Sequence, residues 1–507
     1  MKEELSILIQ AQYPLIYLVT HEEERAEQEI VRIAQMKTQH KRVFVWTVTH
    51  GIVEYGQPRQ TTQHNTVSSE AAVEWVIRQR EPGIYIFKDL HPFFESGASA
   101  ATTRKLRDAI ASFKGTEKII ILMSPVQRVP IELEKEVVAL DYALPTLQEL
   151  NQVLDRQLEK IKNRRISTEV REKLLKATLG LTKDEAEKVY RKAYVKAKRL
   201  TEDEVEVVLS EKKQLIRRNG ILDYIEEDET IDSIGGLEEL KYWLKQRANA
   251  FTEKAREYGL PQPKGMLILG VPGCGKSLTA KTTARLWGLP LLRLDMGRVY
   301  DGSTVGRSEA NLRNALKTAE SISPAILFID ELDKAFAGSS GSADSDGGTS
   351  SRIFGSFLTW MQEKTSPVFV MATANRVERL PGEFLRKGRF DEIFFVDLPN
   401  KEERQDIFKI HLTKRRSDIS RFDIEQLAKV SEGFSGAEIE QAIIAAMYEA
   451  FAQDEREFTQ LDIIAAIKAT LPLSRTMTEQ VTALRDWARQ RARPASASVA
   501  EYQRLEF

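Results

Sequence analysis

A single cysteine, Cys274, occurs among 507 residues, so no disulfide can close within the chain and a reducing compartment is expected. Long apolar runs are equally scarce. No stretch reaches the roughly 18 uncharged apolar residues of a membrane-spanning helix, and no membrane span is expected. The opening MKEELSILIQAQYPLIYLV is acidic at its front and broken by polar residues, which fits neither a signal peptide nor a transit peptide. An excess of one charge is missing too. Lys plus Arg number 74 and Asp plus Glu 75, a net charge of −1 that gives no global pull toward nucleic acid or an anionic membrane. The six histidines, His21, His40, His50, His64, His91 and His411, show no metal-ligand spacing. These absences leave a soluble, intracellular, cytoplasmic protein as the expectation.

What the chain does have is a globular composition, 42% hydrophobic and 29% charged, at a length that calls for two or three domains. Short apolar runs at Pro14–Val19, Val43–Val48, Ile84–Phe87 and Ile119–Met123 alternate with helical patterns and read as strands buried on both faces. The pattern predicts an α/β domain with a mostly parallel sheet over residues 1–205. Residues 206–230 are strongly charged, ending near Glu226-Glu227-Asp228-Glu229, and read as a linker. A second α/β run has strands at Met266–Leu269, Pro290–Leu294, Ala325–Ile329, Val368–Ala372 and Ile393–Val396, within a domain placed at 231–399. A helical block over 400–475 and a basic helix and tail over 476–507 complete the chain. The run Arg485–Arg493 reads as a solvated helix face, because no nucleic-acid-binding fold accompanies it.

Gly270-Val271-Pro272-Gly273-Cys274-Gly275-Lys276-Ser277 fits the phosphate-loop pattern G-x-x-x-x-G-K-[ST], after an apolar strand and before a helical segment starting at Leu278. Glycines let the backbone wrap phosphates and turn N–H groups inward. The helix N-terminus favours an anion, Lys276 reaches the β and γ oxygens, and the Ser277 hydroxyl can ligate magnesium. Further on, the strand Ala325–Ile329 ends in Asp330-Glu331. Asp330 would hold the magnesium shell and Glu331 would polarise the attacking water. Asn375, just past the strand Val368–Ala372, can hydrogen-bond the γ-phosphate or the water.

These motifs in this order resemble the AAA+ ATPases, most closely from Ile231 to Glu449. The resemblance implies a P-loop NTPase parallel sheet with a helical lid, ATP and Mg2+ as cofactors, and a homo-oligomeric ring, usually a hexamer. It also implies roles for single residues. Backbone around Ile234 and Gly235 would contact adenine, Asn375 would be the first sensor, and Arg386 and Arg389 would reach as arginine fingers into the next subunit's site. Gly436 and Ala437, in the segment Gly433–Glu438, would approach the nucleotide from the lid. Taken whole, the chain is similar to a branch of AAA proteins of cyanobacteria and algal plastids, which adds the plastid stroma as a second location. Two departures stand out. Thr304 and Val305 occupy the first pore-loop positions where the family carries an aromatic, and Gly338–Ser351, at the second pore loop, lacks gripping side chains. Cys274 replaces a Thr more usual in the loop. A small filler is the first reading, and a thiolate favoured by the helix N-terminus is the second.

The N-terminal third looks like a degenerate copy of the same domain. Leu179-Gly180-Leu181-Thr182-Lys183-Asp184-Glu185 parallels Glu432-Gly433-Phe434-Ser435-Gly436-Ala437-Glu438, and Pro145 precedes Gly180 by nearly the interval that separates Pro399 from Gly433. Its first strand runs into Thr20-His21-Glu22-Glu23-Glu24-Arg25, without glycines or Lys-Ser, so a non-catalytic, degenerate AAA-like α/β domain is expected; an unrelated α/β domain is the alternative. Two functions follow for the whole chain. The first is an oligomeric ATPase that remodels a protein partner; the second is a nucleotide-switched scaffold with slow hydrolysis. A DNA-directed role is disfavoured by the balanced charge.

Overall fold

The short apolar runs form the strands of two sheets, one in each of two units, Met1–Val208 and Leu209–Phe507. The computed structural model describes residues 2–496, except 37–40, 58–64, 95–98, 162–165, 198–201, 219, 227–228, 301–306, 336–348, 387 and 416–417. Both pore-loop segments singled out above fall outside the described residues for most of their length.

In the first unit β1 (Leu15–Val19), β2 (Arg42–Thr47), β3 (Gly51–Glu54), β4 (Gly83–Lys88), β5 (Lys118–Ser124) and β6 (Val138–Asp141) are ordered β3-β2-β4-β5-β1-β6. All neighbours are parallel except β3, which returns antiparallel beside β2. The second unit contains β7 (Leu222–Ile225), β8 (Gly265–Gly270), β9 (Leu291–Leu294), β10 (Ala325–Ile329), β11 (Val368–Ala374), β12 (Glu392–Val396) and β13 (Arg493–Pro494), ordered β13-β12-β8-β11-β10-β9-β7. Here only β7 is antiparallel. With the antiparallel edges and β13 set aside, each sheet places its strands in the chain order second, third, fourth, first, fifth.

Continuous apolar strands arise because both faces of these sheets are covered. Every residue of β8, β10 and β11 is buried. Alternate side chains divide between two layers: Leu267, Leu269, Leu327 and Val370 enter one, Met266, Ile268, Phe328 and Phe369 the other. Phe369 anchors the second layer, with its ring 4.7 Å from that of Trp287 and 6.4 Å from that of Trp243. The helical block over 400–475 forms a core of its own from Phe408, Leu412, Leu427, Ile439 and Ile463. Its helices Lys401–Lys414 and Gly436–Ala452 start with capping boxes, Asn400 with Glu403 and Ser435 with Glu438.

The segment expected to be a charged linker is not one. It forms the helix Glu202–Arg218 and then β7, which joins the second sheet. Glu204, Val208 and Lys212 recur every fourth residue and are all buried, so the helix has an inward stripe that the surrounding charge conceals. The basic helix Thr478–Arg491 is present, and residues 493–496 after it are held to the sheet: β13 pairs with β12. Arg493 pairs with Glu239 at 2.7 Å, and Ala495 N–H donates to Phe395 O.

Phe369→Ala removes a ring from a layer with no slack. It should cost about 3–5 kcal/mol in denaturant unfolding of the second unit, followed by tryptophan fluorescence.

Candidate functional site

The site grows from the carboxyl ends of three neighbouring parallel strands, β8, β11 and β10. Gly270 closes β8 where a Cβ would lie 2.0 Å from the carbonyl oxygen of Val396, so the position admits no side chain. Gly273 sits at φ +79 with Ser435 and Ala437 of the lid close by, and the Ala437 N–H donates to Gly273 O at 3.0 Å. The loop and the lid segment thus meet directly. The helix Lys276–Trp287 begins at the loop's end, with Gly275 as N-cap.

Lys276 is buried, and its Nζ donates to Gly270 O at 2.9 Å and Val271 O at 2.8 Å. Burial pushes its pKa down to about 8, with the carboxylates of Asp330, Asp333 and Glu331 pulling the other way. An ammonium kept this dry gains more from an incoming anion than one already in water. Ser277 Oγ lies 3.1 and 3.2 Å from the two Asp330 oxygens and donates between them. A hydroxyl and a carboxylate side by side are the hard oxygen donors a magnesium ion takes.

Glu331 stands in a left-handed conformation, φ 51. Its carboxylate pairs with Lys334 Nζ at 2.6 Å, and both groups are open to water, so the pair is screened and the carboxylate can turn. Asn375 N–H donates to Asp333 Oδ1 at 3.1 Å, while Asn375 Oδ1 is buried without a hydrogen-bond partner. A buried acceptor left unmatched is costly, and a ligand hydroxyl or water would satisfy it.

These groups line one cavity of about 1070 Å³, of the size that takes a nucleotide. Asp330, Glu331 and Asn375 stand at one end, beside the loop residues Pro272, Gly273, Cys274, Gly275, Lys276, Ser277 and Leu278. Ile234, Gly235, Gly436 and Ala437 line its other walls. Gly270 and Val271 do not line it; their carbonyls hold Lys276 instead. Gly235 lies against the lid, where a Cβ would come within 2.6 Å of Ile407. Arg386 and Arg389 do not line the cavity of their own chain. Arg386 is exposed, and Arg389 donates to Glu383 O. Their loop is pinned to the start of β8, where Asp391 Oδ2 accepts from the Lys264 and Gly265 amides at 2.7 and 3.0 Å.

Cys274 corrects the thiolate reading. The residue is half-buried on the cavity wall, and burial pushes its thiol up to about 12 against the pull of the Lys276 charge. A small filler remains.

Several residues at or beside the cavity escaped the sequence reading. Asp333 follows Asp330 by one helical turn, a spacing that could have flagged it. Thr373 stands two residues before Asn375. Glu403 was legible as a capping partner of Asn400, but not for its further contacts: its Oε1 accepts from Leu237 N–H at 3.2 Å and Ser496 Oγ at 2.6 Å. His411 carries a pKa lowered by burial, against the pull of Glu440, whose Oε1 lies 3.4 Å from Nδ1.

Family models match along the chain in series. Residues 1–142 match the SpoVK-like AAA ATPase N-terminal domain and 148–219 its second domain. Residues 266–398 match the ATPase family associated with various cellular activities (AAA), and 421–465 the AAA+ lid domain. The "Uncharacterized AAA domain-containing protein ycf46" of Trieres chinensis is 41% identical, over 96% of this chain and 96% of that protein. The protein of the same name in Guillardia theta is 40% identical over 96% and 94%, and that in Pyropia yezoensis 40% over 97% and 99%. Identity at this level across nearly the full length of both partners, over a phosphate loop set at the strand ends of a parallel sheet, makes this chain a member of the AAA ATPase family.

Proposed function

We propose that the chain is a magnesium-dependent ATP hydrolase that assembles into a homo-oligomeric ring and couples hydrolysis to remodelling a protein partner. The observation that carries the reading is the cluster at the ends of β10 and β11: Ser277 on Asp330, Glu331 beside it, and Asn375 with its unmatched oxygen, all four residues lining one cavity. Magnesium, when bound, would neutralise the charge that develops on the transferring phosphoryl group. Ser277 and Asp330 would hold it. Lys276 would neutralise the β and γ oxygens, and the loop amides would hold the phosphate chain. Water attacks the γ phosphorus and the bond to the β–γ bridging oxygen breaks. Glu331 takes the water's proton, while Asn375 orients the water or the γ-phosphate. Arg386 and Arg389, which do not line the cavity of their own chain, would reach the site of a neighbouring copy. No helix among the described residues is long and apolar enough to cross a membrane. The second reading, a nucleotide-switched scaffold, is favoured by Thr304 and Val305, which give the first pore-loop segment no aromatic grip.

In this reading the N-terminal unit binds no nucleotide. Glu22 stands where the phosphate loop would be, and its Oε1 accepts from the Lys183 N–H at 2.6 Å, at the start of the helix Lys183–Ala197. By the sequence parallel, Lys183 matches Gly436 of the lid. The chain's own carboxylate therefore takes the place of an anion at that helix start. Arg25 pairs with Glu22 at 2.8 Å and Glu149 at 3.4 Å, and stacks 4.5 Å over Tyr142. Burial raises the Glu22 pKa, against the pull of the Lys183 amide and Arg25. Lys88, at the end of the third strand, replaces Asp330 and pairs with Glu23 at 2.8 Å and with Glu27.

Mass by light scattering and phosphate release, on one sample with and without ATP and Mg2+, test the function. ATP-dependent rings with turnover are expected; rings with negligible turnover favour the scaffold. Lys276→Ala should lose nucleotide binding altogether, at one site per chain by calorimetry. Glu331→Gln should keep the rings and lose about 10²–10⁴-fold in turnover. Arg389→Ala should bind ATP yet turn over poorly. Mixing it with Glu331→Gln should restore part of the activity; no restoration at any ratio would count against sites shared between copies. Glu22→Ala should speed hydrogen exchange at residues 183–186 about 10-fold or more while ATP affinity is unchanged, since a buried donor loses its charged partner.

A further inference from the structure

We propose that Thr373 is a positioning residue of the hydrolytic site, whose single hydroxyl fixes both the Asp330 carboxylate and the backbone turn that carries Glu331. The inference rests on the ATPase reading above. Thr373 is buried near the end of β11, and its Oγ1 donates to Asp330 Oδ1 at 2.5 Å. The same oxygen accepts from the Glu331 backbone N–H at 2.9 Å. A hydroxyl has one proton and two lone pairs, so donating to the carboxylate leaves the oxygen's acceptor side for the amide. Asp330 is thereby held in the orientation that Ser277 meets, and Glu331 is held in a turn that a non-glycine residue adopts only under restraint.

The first unit supplies an internal comparison. Asp89 follows its third strand at φ 50, matching Glu331 at φ 51. There the amide donates to a backbone oxygen, Met123 O, at 2.9 Å. In register Met123 pairs with Lys88, as Ala372 pairs with Ile329 one step earlier in the second sheet. Met123 thus holds the position of Thr373, and Lys88 that of Asp330. The turn forms without a side-chain hydroxyl. What the hydroxyl adds is reach to a carboxylate, and the unit that lacks the hydroxyl also lacks that carboxylate. Thr373 is therefore tied to the chemistry of the second unit and not to the turn alone.

Thr373→Val keeps the shape and removes the hydroxyl. Its kcat should fall about 10–100-fold, the usual range for losing a partner that orients a metal ligand, with KM for ATP within about threefold. A second readout is independent of turnover. The Mg2+ concentration needed for tight binding of a non-hydrolysable ATP analogue should rise about 10-fold, with metal-free binding unchanged. Thr373→Ser should restore both. In an Asp330→Asn background, Thr373→Val should add nothing further to the Mg2+ requirement. Unchanged kcat and Mg2+ dependence in the valine variant, or losses as large in the serine variant, would overturn the proposal. Should the valine variant fail to fold, Thr373→Cys, which is smaller and keeps only a weak donor, carries the same expectation and the same reversal. If the unmutated chain shows no Mg2+-dependent nucleotide binding, the ATPase reading fails, and this one with it.

Discussion

Parallel pairing of β8, β11 and β10 is the constraint on which the site depends. Three strands that run the same way bring their carboxyl ends to one edge, so Gly270, Asp330 and Thr373 arrive together from distant parts of the chain. Register then decides the chemistry. A slip of one residue would turn Asp330 away from Thr373 and send the inward faces of Leu327 and Phe328 to opposite layers. The strands are held against such a slip by burial on both faces, where Phe369 and Val370 fill separate cores. Packing that looks remote from catalysis is what places the carboxylates.

The strands of both sheets were legible wherever they were continuous and apolar, because strands covered on both faces must be. Those that escaped notice are edges: β3, β6, β7 and β13 are short, and each needs a neighbour to become a strand at all. Much the same divides the site. The phosphate loop and the Asp330-Glu331 pair could be read because their geometry is local, a glycine turn before a helix and a carboxylate after a strand. Thr373 and Glu403 could not. Their roles depend on what lies across the sheet or at the other end of the chain, and nothing in a Thr or a Glu announces a partner about forty or ninety positions away. The helix at Glu202–Arg218 was hidden for another reason. Its buried stripe includes Glu204 and Lys212, so counting charge misread a buried face as a solvated one.

The two units put one strand order to different uses. In the second, the end of the sheet holds a buried ammonium, a hydroxyl on a carboxylate and an unmatched oxygen, all groups that ask for a ligand. In the first, the matching edge is filled by ion pairs among Glu22, Arg25, Lys88 and their neighbours. A sheet edge filled by its own ion pairs has no need of a nucleotide to hold the helices around it in place.

Arg493 reaches back to Glu239 across 254 positions, and Ser496 closes on Glu403 at the cavity wall. Such contacts are slow to form, since the intervening chain must be gathered first. They also set a clock during synthesis. At about 5–20 residues per second, the end of β12, 97 residues ahead of Arg493, leaves the ribosome roughly 5–20 s before its edge partner does. For that time β12 has an open edge and the cavity wall lacks one of its hydrogen bonds, so a nascent chain lives through an interval in which its ATPase fold is largely assembled but not yet sealed.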